Sequence, residues 1–197
     1  MNWTALKHRI AASAAADELE RAIRANDRDT VVKILRANPE MLHLPVWSGN
    51  WGPPMSHAAN LGRLEIIKAV AQLGARDFQH AFDRAAIDFA EREIFGWLLA
   101  HGADVNARAI IDTDGFGGHT PLFHAVVCGP RRDTEVIEAL LARGASKDVR
   151  ARLRKFLDWC ENPRWHEARD VTAAEWGDGF PEGNWVNIES LRLLDEE

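Results

Sequence analysis

Thr120-Pro121-Leu122-Phe123-His124-Ala125 opens the most regular stretch of the chain, and Glu135-Val136-Ile137-Glu138-Ala139-Leu140-Leu141-Ala142-Arg143-Gly144-Ala145 closes it. Threonine supplies a helix N-cap, proline suits the first helical turn, and small alanine lets a neighbouring helix come close. The second segment carries apolar residues at helical spacing and ends on glycine. Glycine takes left-handed backbone at little cost, so it stops a helix. The stretch predicts two short helices joined by a polar turn around Pro130–Asp133.

The same pattern recurs outward from this stretch. Gly74-Ala75-Arg76 and Gly102-Ala103-Asp104 repeat the stop at Gly144-Ala145-Ser146, and each follows a helical apolar run. Twenty-one residues before Gly74 lies Pro53-Pro54-Met55-Ser56-His57-Ala58-Ala59, and twenty-one before Gly102 lies Ala81-Phe82-Asp83-Arg84-Ala85-Ala86. These segments resemble the ankyrin repeat, with its T-P-L-H-x-A start, two helices and G-A-D turn. Weaker copies flank them. The first runs through Leu19, Ala22, Val31, Ile34 and Leu35, with Asn38 in place of the stop glycine. The last starts at Thr172-Ala173-Ala174-Glu175-Trp176 and closes over 188–194.

The resemblance implies an all-α fold, an ankyrin solenoid of about five helix-turn-helix repeats. These start near 17, 53, 81, 120 and 172 in a single domain over 1–197. Relative to a period of about 33 residues, the turns near Leu44–Trp51 and Asp112–Gly118 are enlarged. The longest insertion, about 153–168, carries Leu153, Phe156, Leu157 and Cys160 at helical spacing, which predicts an amphipathic helix before the last repeat. The second-helix leucines Leu98, Leu99, Leu140 and Leu141 are expected in the core, and Trp97 beside them.

Composition narrows the function. The net charge of −6 gives no general attraction for nucleic acid or an anionic membrane surface. The basic run Arg150–Lys155 lacks the interleaved aromatics that stack bases, and it is read as a solvated helix face. The N-terminal stretch has charges inside its apolar segment, unlike a secretion signal, and no segment has the roughly 18 apolar residues of a membrane span. A cytoplasmic protein with two reduced thiols, Cys128 and Cys160, is the expectation.

Chemical motifs are missing. None of Ser13, Ser48, Ser56, Ser146 and Ser190 lies in G-x-S-x-G, and there is no phosphate-binding G-x-x-x-x-G-K. Asp112-Thr113-Asp114 starts like a calcium loop, but phenylalanine occupies the fifth and twelfth positions, where oxygen ligands are needed. His119, His124 and Cys128 have zinc-ligand chemistry. They lack a fourth ligand, so no metal, cofactor or catalytic role is expected.

The resemblance implies a protein-interaction module, a monomer binding through the concave face of first helices and the turn tips. The family's variable face positions fall here on His57, Asn60, Asp88, His124 and Trp176. Trp51, Phe116 and His119 fall in adjoining turns, so these eight are the expected partner-binding residues. Exposed tryptophans favour recognition, because each buries a large area with few torsions to freeze. Two alternatives stand beside this one: a small-molecule binder or enzyme with its site under the 153–168 insertion, and a self-associating structural subunit.

Overall fold

The computed structural model describes residues 14–44, 52–88, 92–109, 117–127, 134–153, 168–179, 186 and 188–195. Among these, ten α-helices dominate and one two-stranded sheet accompanies them. The chain divides into two compact units, Met1–Ala85 with Glu91–Ala103, and Ala86–Ala90 with Asp104–Glu197.

The first unit begins with α1 (Ala14–Arg24) and α2 (Arg28–Ala37). Ala16, Leu19, Ala22 and Ile23 share one face of α1 and are buried. The turn between the helices passes through Asn26 at φ 59°, and Asp27 then caps α2 by accepting the Thr30 N–H at 3.1 Å. Asn38 ends α2, but not as a stand-in for glycine. Its φ is −135°, and both its backbone N–H and its side-chain Nδ2 return to Ile34 O. A 3₁₀ turn over Pro39–His43 follows and buries Met41 and Leu42.

Next come α3 (Pro54–Asn60) and α4 (Leu64–Gln72), then α5 (Phe78–Asp88) and α6 (Arg92–Ala100). Helix α1 packs on α3, and α2 packs on α4. Every residue of α3 is buried. Helices α5 and α6 meet through Phe82 and Phe95, edge to face at 5.2 Å.

The second unit holds α7 (Pro121–Val127), α8 (Glu135–Leu141), β1 (Ala151–Leu153), β2 (Arg169–Val171), α9 (Ala173–Asp178) and α10 (Ile188–Asp195). Helix α7 packs on α9, and α8 on α10. Gly177 of α9 fits a tight junction, where an added Cβ would meet Val126 and Leu191 side-chain atoms at 2.6 Å.

The three expected stop glycines behave as read. Gly74, Gly102 and Gly144 have φ of 110°, 99° and 84°. After each, the alanine N–H folds back to a helix carbonyl: Ala75 to Val70, Ala103 to Leu98 and Ala145 to Leu140. The predicted leucine core holds in part. Leu98 and Leu140 are fully buried, whereas Leu99 and Leu141 are half-buried.

The expected helix from 153 is corrected at its first residue. Leu153 lies in β1, which pairs antiparallel with β2 in the register Ala151↔Val171, Arg152↔Asp170, Leu153↔Arg169. Ala151, Leu153 and Val171 point inward while Arg152 faces out, the two-residue period of a strand. The remaining insertion, 154–167, lies outside the described residues. Arg150 likewise stands on no helix face. Its guanidinium bonds Asp170 Oδ2 at 3.1 Å and the Asp170 carbonyl at 2.7 Å, and pairs with Glu175 Oε2 at 3.0 Å.

Candidate partner-binding surface

The second unit brings three of the expected residues together. His119 enters from a turn anchored by Ala109, whose N–H donates to the His119 carbonyl at 2.8 Å. His124 sits on α7, and the two imidazole Nε2 atoms lie 3.1 Å apart with rings edge to face. One ring therefore donates and the other accepts, since two donors would repel. Burial holds the His119 imidazole below its ordinary value, which favours that neutral pairing. Phe123 lies between this pair and α9, 6.5 Å from the His119 ring and 6.1 Å from Trp176. His119, His124 and Trp176 are all half-buried. They form a mixed polar and aromatic patch over α7 and α9.

Two local details hold this patch. Thr172 caps α9 in a reciprocal box: its hydroxyl accepts the Glu175 N–H at 3.2 Å, and Glu175 accepts the Thr172 N–H at 2.9 Å. Thr120, expected to cap α7 in the same way, does not. Its Oγ1 is buried without a hydrogen-bond partner among the described residues.

In the first unit the expectation for α3 is corrected. His57 and Asn60 are 1% and 4% exposed, so neither presents a surface to a partner. The covering elements, α1, α4 and the 3₁₀ turn, all pack on α3. Burial, then the nearby Arg24 charge, holds His57 below its ordinary value, with Glu20 opposing. Asp88 falls in α5. Trp51 and Phe116 lie outside the described residues.

Beside α3 a second polar cluster ties the unit together. The Ser56 hydroxyl donates to Asp77 Oδ2 at 2.6 Å, and His80 Nδ1 lies 3.1 Å from Ser56 Oγ. With its one hydrogen given to the carboxylate, Ser56 Oγ accepts from His80 Nδ1–H. Ser56 is fully buried. The carboxylate bonds the hydroxyl rather than orienting the imidazole, so the order that activates a serine nucleophile is not met. This is a tie between α3 and the start of α5.

The polar turns of the second unit are tied as well. Arg108 Nη1 donates to Gly118 O at 3.1 Å and Arg150 O at 2.8 Å. Asn106, in the Gly102–Ala107 turn, donates to Gly144 O at 2.8 Å and accepts the Ser146 N–H at 2.9 Å. One turn thus clasps the next through a side-chain amide. The Ankyrin repeat family model matches residues 117–152, the stretch that runs from the His119 turn through α7 and α8 into β1. The chain therefore carries an ankyrin repeat over these residues. No curated protein matches it. Ankyrin repeats are generally protein–protein interaction modules.

The first unit also has a feature that the helical pattern concealed. Trp97, expected in the core, is half-buried and lines an open groove with Phe78 and His101. Helical spacing puts Trp97 near the buried positions Ile94 and Leu98, which is why it resembles a core residue. Only the non-local packing leaves its outer edge uncovered. Among the described residues, no cluster of three or more histidine, cysteine or acidic side chains has the closeness a metal site needs, and no helix is long and apolar enough to cross a membrane.

Proposed function

We propose that this ankyrin-repeat protein holds a protein partner through the face of α7 and α9 that carries His119, His124 and Trp176. The five consecutive helix pairs are read as five repeats. The observation that carries the reading is the ankyrin repeat matched over 117–152. Within it lies the α7 face that bears His124, and beside that face stand His119 and Trp176. Half-buried imidazoles and an indole suit recognition of a specific protein surface, because they combine hydrogen-bonding groups with apolar area. A net charge of −6 makes nucleic acid and anionic membranes poor partners for the same face.

Affinity capture from the native host tests the reading. The immobilised protein is expected to retain one protein in about equal molar amount, displaced by the free protein. Retention of nothing beyond what an unrelated ankyrin-repeat protein retains would count against it.

A further inference from the structure

A groove of about 520 Å³ opens in the first unit between α4, α6 and the turn after α4. Lys68 and Arg76 contribute two cations, Phe78, Trp97 and His101 contribute three rings, and no carboxylate lines it.

The rings are packed in advance. Trp97 and His101 stack at 3.7 Å with planes 22° apart, and Phe78 lies 6.0 Å from the first and 5.7 Å from the second. His101 Nδ1 is held 2.7 Å from the Trp97 carbonyl, which only accepts, so this nitrogen donates. A platform fixed in this way loses little entropy when a partner settles on it.

The cations are poised differently from one another. Lys68 pairs with Glu65 at 2.7 Å. Arg76 has no carboxylate partner among the described residues. Its Nη1 is anchored on Ala71 O at 3.1 Å and Ala75 O at 2.6 Å, and its Nε and Nη2 have no acceptor there. This presents an oriented guanidinium edge, the geometry that takes a carboxylate by two parallel hydrogen bonds. The Trp97 indole N–H has no acceptor among the described residues either.

We propose that this groove docks an acidic peptide segment of a protein partner. An aromatic or leucine side chain of the segment rests on the Phe78–Trp97–His101 platform, and flanking carboxylates pair with Arg76 and Lys68. The proposal rests on the reading that this chain binds proteins, and it adds a second contact on the second helices. Charge complementarity selects the occupant. Two cations, one of them already paired, are too few to hold a phosphate backbone against the protein's own negative charge. A purely apolar occupant would leave the Arg76 donors covered and unpaired.

A displayed library of random 12-residue peptides, panned on the full chain, tests this. Wild type is expected to select peptides with Asp or Glu flanking an aromatic residue or leucine. Synthetic copies should bind at least tenfold more weakly to Arg76→Glu and to Trp97→Ala, and also more weakly as salt is raised. Circular dichroism and denaturation midpoints check that the variants fold, and Lys68→Glu on α4 serves as a second charge variant. Selection of nothing, or of peptides that bind Arg76→Glu as well as wild type, overturns the groove. If those peptides instead lose affinity on His124→Glu, the partner-binding reading stands and only the groove falls. Dimerisation of wild type that is lost in Arg76→Glu would make the occupant a second copy and overturn the proposal.

Discussion

Asn106 and Ser146 are joined across successive turns: the Asn106 side-chain oxygen accepts the Ser146 N–H at 2.9 Å, while its Nδ2 donates to Gly144 O at 2.8 Å. One amide thus satisfies a donor and an acceptor of the neighbouring turn. Asn106→Ala removes both bonds and leaves two backbone groups to find water. The expected loss is about 1–2 kcal/mol, read from the urea midpoint. Asn106→Asp keeps the acceptor, loses the donor and should fall between.

The two leucines that end α8 differ. Leu140 is fully buried, and Leu141, its neighbour, is half-buried. Leu140→Ala is expected to cost about 2–5 kcal/mol, because it deletes buried atoms and leaves a cavity. Leu141→Ala should cost less than half of that. Equal losses in chemical denaturation would contradict this register of α8.

Asp83 should make stability depend on pH. Burial raises its carboxyl from 3.8 to about 6, against the Gln79 hydrogen bond and the Arg84 charge, which lower it. The folded state therefore holds the proton more tightly than the unfolded chain. Stability from this group is fully present below about pH 4, is lost as pH rises toward 6, and stays lost above. Raising the carboxyl from 3.8 to about 6 corresponds to at most about 3 kcal/mol. Asp83→Asn keeps an acceptor for Gln79 without the charge. It should stabilise the protein by about 1–3 kcal/mol at pH 7.5 and by nothing at pH 4. Histidines held low, such as His57 and His119, act oppositely below 6.5. The difference between variant and wild type isolates Asp83 from them.

The parts of the fold that were legible in the sequence are those set by local chemistry. Gly74, Gly102 and Gly144 mark left-handed stops because few other residues take that backbone. Thr172 and Glu175, three apart, form the capping box their spacing implies. What was not legible depends on neighbours far along the chain. The family resemblance put His57 and Asn60 on a binding face of α3, whereas α1, α4 and the 3₁₀ turn bury them. Trp97 has core spacing yet borders a groove. Leu153 fits a helical pattern, but pairing with Arg169 puts it in a strand. Thr120 has a cap's identity and place, yet its hydroxyl makes no cap bond.

The central claim is that the face carrying His124 and Trp176 binds a protein. Calorimetric titration of the captured partner against wild type, His124→Ala and Trp176→Ala tests it most directly. Trp176 is half-buried and packs near Phe123 at 6.1 Å, so its loss should lower stability somewhat as well. The account predicts that each variant, at a temperature where it is fully folded, binds at least tenfold more weakly, about 1.4 kcal/mol. An unchanged dissociation constant for both variants, with only a lowered denaturation midpoint, would contradict it.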